Sequence, residues 1–229
     1  MYHKFDFETH LILHWSDESI ISPVHLFGDV DVTQREPSRC ILLMETTPGL
    51  ESVQSLHVLL RIYNNEISFL DNNGCQGGSM DLAFEFIKKE NGIDTEESYP
   101  YEGVQDSCTF KPSSVGATCT GHVDIPSGDE EALKQTVATV GPVSVAIDAH
   151  HESFHDYKGG VYDEPECGNE MSDLTHVVLV VGYGTEDGKD YWLVKNGWGE
   201  SFGVNGYIKM SRSKNNQCGI ATAATYPMI

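Results

Sequence analysis

Residues 174–207 read LTHVVLVVGYGTEDGKDYWLVKNGWGESFGVNGY. His176 opens an unbroken apolar run to Val181, and Asn196 ends a second run, 191–195, inside a tryptophan–glycine turn that holds Trp198. Apolar runs bounded by glycine turns read as strands, the first of them buried on both faces. A thiol becomes a strong nucleophile only as thiolate, and an adjacent imidazole lowers its pKa. That imidazole needs a third group to hold its orientation, which the neutral side-chain oxygen of Asn196 can supply, with Trp198 covering the bond. Taken singly, a histidine at a strand start is usually structural and an asparagine before glycine is usually a turn. Their joint occurrence in this context points to a thiol nucleophile elsewhere in the chain. An oxyanion hole beside it would need a glutamine side chain or backbone N–H groups.

Outward from this stretch the pattern is helices first and strands later. Residues 79–90 read as a helix, with Met80, Ala83, Phe84 and Ile87 on one face and Asn91-Gly92 closing it. Ser127 with Glu130 spells a capping box that opens a second helix whose apolar positions are Leu133, Val137 and Val140. After Gly141-Pro142 come the strands 143–147, 176–181, 191–195 and 206–210. The expected class is α+β, with a helical lobe facing a sheet-rich, antiparallel lobe across a cleft where ligands commonly bind. Residues 1–70 show mixed periodicity and no clear element.

The chain has 229 residues, 39% of them hydrophobic, which suits one large domain or two lobes sharing an interface. A net charge of −21 argues against nucleic acid and anionic membrane as partners. It serves solubility, or suits an acidic compartment in which the ten histidines gain charge. Six cysteines are compatible with disulfides and an oxidising compartment, yet the first residues lack the apolar core of a secretory signal. No apolar run approaches the ~18 residues of a membrane span.

Several runs carry a resemblance: NNGCQGGSMDLAFEFI, GIDTEESYPYEG, ATVGPVSVAIDAHHESF, VVLVVGYG, KDYWLVKNGWGESFGVNGYIKM and QCGIATAATYP. Over residues 73–229 the chain resembles the papain family of cysteine proteases, and within it the cathepsin L-like branch. Trp15 and the run Ile20, Ile21, Ser22, Pro23, Val24 are similar to the opening of the family's mature enzymes, which implies that no inhibitory propeptide lies in this chain. The implied fold is papain-like and two-lobed, with the helical lobe incomplete. Residues 1–14 would be an irregular extension and 15–229 the peptidase domain. Within it, 25–65 is a divergent segment, 66–125 the remainder of the helical lobe and 126–229 mainly the sheet-rich lobe.

The implied activity is cysteine-type endopeptidase chemistry, with His176 as proton shuttle and Asn196 as its orienting group. The family's Cys-Gly-Ser-Cys-Trp signature is absent, and Cys40 is the one cysteine in the segment that should hold it. Gln34 precedes Cys40 by six residues, the family's glutamine-to-cysteine interval, and His176 follows it by 136, within the ~130–150 expected. These intervals favour Cys40 as nucleophile and Gln34 as oxyanion donor, although Asn196, 156 residues on, falls beyond the expected range and the 25 residues from Trp15 to Cys40 exceed the family interval. Against them, Ile41 replaces the tryptophan that should follow, and Pro48-Gly49 would interrupt the helix that should carry the thiol. Cys40 paired with Cys75 is the alternative. Near the histidine, Val177, Gly197 and Phe202 depart from the family's small residue, serine and second tryptophan.

By the same resemblance, Gly77 and Gly78 present backbone to an extended peptide. Met80, Ala146, Leu174 and Ala223 line the pocket for the second residue before the scissile bond (P2), implying a preference for bulky apolar side chains; Met80 and Ala146 equally suit a core. Cys167 and Cys218 match a family disulfide, worth roughly 4 kcal/mol for a loop of ~50 residues. Cys75 and Cys108 match half-cystines without their partners, and Cys119 has no counterpart. The implied partners are protein or peptide substrates and cystatin-like inhibitors, acting on a monomer, with no cofactor. The implied location is lysosomal or extracellular.

A rival reading lies in His151-Glu152-Ser153-Phe154-His155, which spells the H-E-x-x-H motif of zinc metallopeptidases. It follows a strand and meets Gly159-Gly160 four residues on, too short a helix for that site, so no metal is expected. Two further alternatives remain at this level: a catalytically inactive papain-like binding protein or decoy, and a damaged gene product.

Overall fold

The computed structural model describes residues 44–45, 57–58, 72, 78–95, 97–100 and 108–229. In chain order the strands are β1 (Met44–Glu45), β2 (His57–Val58), β3 (Ile93–Asp94), β4 (Val115–Ala117), β5 (Gly121–Asp124), β6 (Val143–Ile147), β7 (Val161–Tyr162), β8 (His176–Glu186), β9 (Lys189–Lys195), β10 (Tyr207–Ser211) and β11 (Ala223–Met228). The helices are α1 (Met80–Lys89), α2 (Glu130–Thr139) and α3 (Glu152–His155). Seven strands form one sheet in the order β5-β11-β6-β8-β9-β10-β7, and its pairings are antiparallel except β10 with β7. The class is α+β, as expected, and the sheet is open, with β5 and β7 as its edges. The pairs β1–β2 and β3–β4 form separate two-stranded ladders. Among the described residues no helix is long and apolar enough to cross a membrane.

The hydrophobic pattern along each element decides which face it buries. On β6, Val143, Val145 and Ile147 point into the larger core with Val178 and Val180 of β8, Trp192 and Val194 of β9, and Leu133 and Val137 of α2. The intervening Ala146 faces the other way, where α1 packs Met80, Ala83, Phe84 and Ile87 together with Cys119. The 176–181 run is buried on both faces for this reason: Val178 and Val180 serve one core and Val177 the other.

Helix α1 buries the four residues whose spacing predicts it. Asn91 and Gly92 end it at φ of 57° and 147°, and a Cβ at Gly92 would lie 2.4 Å from Val115 Cγ1. Helix α2 differs from expectation. Its cap is Asp129, whose carboxylate accepts the Ala132 N–H at 2.9 Å, while Ser127 donates its hydroxyl to the Thr222 carbonyl at 2.8 Å. Val140 lies past the last turn and is exposed, so the apolar stripe ends at Val137. At the helix start, Glu130 accepts N–H groups from Trp192 (3.0 Å), Ser213 (2.9 Å) and Asn216 (2.8 Å), tying α2 to β9 and to the loop after β10.

Strand β8 runs to Glu186, five residues beyond its apolar stretch, and β9 begins at Lys189. The two-residue turn Asp187-Gly188, both at left-handed φ (50° and 74°), joins them as a tight hairpin. The polar ends of these strands project into water, so apolar content alone shortens them.

Candidate active site

His176 is the first residue of β8 and Asn196 follows the last residue of the neighbouring β9. The ladder pairs Leu179 with Lys195, which brings the start of one strand beside the end of the other. His176 Nε2 lies 2.8 Å from Asn196 Oδ1. The Gly197 backbone N–H donates to the same Oδ1 at 2.7 Å. A backbone donor requires an acceptor there, so this atom is the carboxamide oxygen and His176 Nε2 carries its proton. Nδ1 is left as the basic nitrogen of the ring. Asn196 is buried, and its own backbone N–H is held by the Gly206 carbonyl at 2.9 Å. Neither group can turn away without breaking these bonds.

Aromatic rings enclose the pair. Trp198 lies with its ring centroid 4.9 Å from that of His176, tilted by 32°. Phe154, fully buried in α3, meets His176 (6.3 Å) and Trp198 (5.6 Å) edge to face and lies tilted by 34° against Phe202 (5.5 Å). His155, exposed, stacks on Trp198 at 5.0 Å and 13°. Burial pushes the His176 imidazole below its usual pKa; the bond to Asn196 works the other way, and His155 adds a further downward push. The pair is therefore a dry, oriented, neutral base at neutral pH, able to accept a proton at Nδ1. Phe202, a departure from the family's tryptophan, packs against Trp198 at 5.2 Å.

The resemblance alone assigns four residues to a P2 pocket. Ala223 pairs in register with Ala146, and Ala146 with Val177, which places three side chains in a row across β11, β6 and β8. The cluster that α1 builds with Met80, Ala83, Phe84 and Ile87 packs against this row. Leu174 ends a 3-10 turn (Met171–Asp173) and lies against Gly219. Gly78 is exposed just before α1, and the Asn72 side chain clamps the next residue, accepting the Ser79 N–H and donating to its carbonyl. Cys40, Gln34, Cys75 and Gly77 lie outside the described residues.

Cys167 and Cys218 are disulfide-bonded across 51 residues, as the resemblance implied. Cys108 and Cys119 are free. Cys119 is buried beneath α1, where desolvation raises its thiol pKa and Sγ donates to the Phe84 carbonyl at 3.4 Å.

The H-E-x-x-H reading fails on backbone geometry. Helix α3 is a single turn of four residues, and His151 precedes it in an extended conformation (φ −71°, ψ 137°). His155 stacks on Trp198 while His151 faces Asp148, so the two rings share no helical face. Sequence reasoning missed Phe154 and His155 as neighbours of the His176–Asn196 pair, because the motif they spell suggested a different chemistry.

Residues 65–228 match the family described as papain family cysteine protease. The chain belongs to the papain family. It is 65% identical over 159 residues to a cathepsin L of Sarcophaga peregrina, and 62% identical over 159 residues to a cathepsin L-like peptidase of Aedes aegypti. Each match covers 69% of this chain and 46% of the relative, so the chain spans a little under half the length of either. Among solved structures it is similar to digestive procathepsin L 3 of Tenebrio molitor larval midgut, with a TM-score of 0.66 and 48% identity over 69% of this chain and 51% of that one. It is also similar to bromelain from Ananas comosus in complex with the E64 inhibitor, with a TM-score of 0.63 and 38% identity over 70% of this chain and 74% of that one. This papain-family member is thus cathepsin L-like in sequence, and its large sheet carries the His–Asn pair in an aromatic enclosure.

Proposed function

We propose that this chain is a cysteine-type endopeptidase in which Cys40 is the nucleophile and the His176–Asn196 pair its activating base. The 2.8 Å contact between His176 Nε2 and Asn196 Oδ1 carries this reading, because it orients a shielded ring and leaves Nδ1 as its one basic nitrogen. His176 Nδ1 takes the proton from the Cys40 thiol, and the thiolate forms a C–S bond to the scissile carbonyl carbon. The carbonyl π electrons move to oxygen, where the Gln34 amide donates a hydrogen bond. As the oxyanion collapses the C–N bond breaks, and the leaving amine takes the proton from His176. Water, deprotonated by His176, then hydrolyses the thioester and frees Cys40.

The substrate class is protein or peptide. Gly77 and Gly78 bind its extended backbone, and the row of Ala146, Ala223 and Met80, with Leu174, receives a bulky apolar P2 side chain. Small residues on the strands leave the room, and Met80 supplies an adaptable apolar wall. Cystatin-like proteins and inhibitors such as the E64 in complex with bromelain fit the same cleft, the enzyme acts as a monomer, and it works in a lysosomal or extracellular compartment.

Folded protein treated with a thiol-directed epoxide, then digested and analysed by mass spectrometry, should carry the label on Cys40. It should also hydrolyse a fluorogenic peptide with Phe or Leu at P2. A folded chain silent to both probes is instead a non-catalytic binding protein of the family, the reading favoured by the missing nucleophile signature. Failure to fold identifies a damaged product.

A further inference from the structure

Between β6 and α3 the chain runs Asp148-Ala149-His150-His151. The Asp148 side chain is fully buried, that of His151 is 17% exposed and that of His150 is 62% exposed. Asp148 Oδ2 accepts the Gly168 N–H at 2.8 Å, and Oδ1 accepts the His150 N–H at 3.3 Å and pairs with His150 Nδ1. Burial favours the neutral acid, but these donors outweigh it and hold the carboxyl below its ordinary pKa, so it is a buried anion. His151 Nε2 lies 3.5 Å from Asp148 Oδ2, buried and without a hydrogen-bond partner. The two imidazoles stand 4.0 Å apart, tilted by 36°, each turning a nitrogen to the same carboxylate.

We propose that Asp148, His150 and His151 form a site for a divalent metal ion of the zinc class. Their three donor atoms already lie within 4.8 Å of one another. Two imidazoles and one carboxylate match the ligand preference of Zn2+ and not that of Mg2+ or Ca2+, which take oxygen. Tetrahedral coordination at ~2.0–2.2 Å sets donors ~3.3–3.5 Å apart, so the His150–Asp148 contact must open to admit the ion, while His151 Nε2 and Asp148 Oδ2, at 3.5 Å, already stand at that separation. The exposed His150 ring can make that movement by rotation, without shifting the strand. Its open side leaves the fourth position for water. An ion here would also satisfy the orphaned His151 Nε2.

The site is built onto the frame of the catalytic pair but uses none of it. Ile147, the residue before Asp148, pairs in register with His176, and the Ala149 N–H donates to Thr175 Oγ1 at 3.1 Å. On the other side, α3 leads to Phe154 and His155 against Trp198. Bound metal would join the end of β6 to the start of α3 and stabilise the folded chain by mass action. The partners of His151 are therefore Asp148 and His150, and not the His155 that the H-E-x-x-H spelling suggested.

The test is titration of the full chain with Zn2+ by calorimetry and with Co2+ by visible absorption. One equivalent should bind, and the Co2+ spectrum should show nitrogen and oxygen ligation without a sulfur-to-cobalt charge-transfer band. His150→Ala, at an exposed ring, and His151→Asn, each checked by circular dichroism, should weaken binding at least tenfold. His176→Ala should leave it unchanged. Unchanged affinity in His150→Ala, loss of binding in His176→Ala, a sulfur charge-transfer band, or no uptake by the unaltered chain would each overturn the assignment.

Discussion

Asn196 Oδ1 receives two donors at once, His176 Nε2 at 2.8 Å and the Gly197 backbone N–H at 2.7 Å. The backbone donor fixes which end of the carboxamide faces the ring, and the carboxamide fixes which ring nitrogen holds the proton. Removing it should free the imidazole to rotate and change tautomer. In Asn196→Ala, kcat on a fluorogenic peptide with Leu at P2 is expected to fall about ten- to hundredfold, the size of one buried hydrogen bond to a reacting group. KM should change little. Equal losses in both parameters, or an unchanged kcat, would contradict the orienting role.

Burial holds His176 below the ~6.5 of a free imidazole, so the unfolded chain takes this proton first. Its contribution to stability is full above about pH 6.5, falls as the pH drops below that value, and levels off below the folded midpoint. Urea unfolding at pH 7.5 and pH 5 should therefore show a smaller pH dependence in His176→Gln than in the unaltered chain. Asp148, held low, remains ionised throughout this window and leaves the comparison undisturbed. A thiolate beside the ring favours the imidazolium, so the His176 midpoint seen by NMR should be lower in Cys40→Ser than in the unaltered chain. Identical midpoints would place Cys40 away from the imidazole.

In the proposed P2 pocket, the register that aligns Ala223, Ala146 and Val177 makes size a property of strand pairing. Ala146→Phe projects a ring into the space beside Met80. The expected result is a loss of more than tenfold in kcat/KM for a Phe-P2 substrate and a much smaller loss for an Ala-P2 substrate, consistent with an overpacking cost of ~1–3 kcal/mol. Equal losses on both would mean that these residues form core and no pocket.

Cys167–Cys218 closes a 51-residue separation next to Asp148, whose backbone N–H donates to the Cys218 carbonyl at 2.9 Å. Replacing both cysteines by serine should lower the unfolding free energy by roughly 4 kcal/mol. Denaturant titration without reductant checks this; an unchanged midpoint would show that the unfolded chain gains little from losing the bridge.

Much of the local structure was legible before any coordinates. Helix α1 buries the residues its spacing names, because a 3.6-residue period leaves only one face to pack. Strand β6 was legible because Val143, Val145 and Ile147 alternate after the Gly141-Pro142 break, and the core of β8 because a short continuous apolar run suits a strand packed on both faces. The start of α2 was not. Ser127 and Asp129 are both good caps, and the Thr222 carbonyl, 95 residues away, takes the serine hydroxyl. The polar ends of β8 and β9 were missed because one exposed hairpin carries no apolar signal.

The amino-acid order alone determined the helix and strand faces and marked His176, Asn196 and Trp198 as one group, because burial periodicity and turn chemistry are written locally along the chain. Tertiary structure alone decided that Phe154 and His155 surround this group, that Glu130 ties α2 to Trp192, and that His151 turns to Asp148. The first two contacts depend on where strand pairing and loop paths deliver side chains distant in sequence. The third joins residues only three apart, and the burial of Asp148 decided it by giving two neighbouring histidines one carboxylate to face.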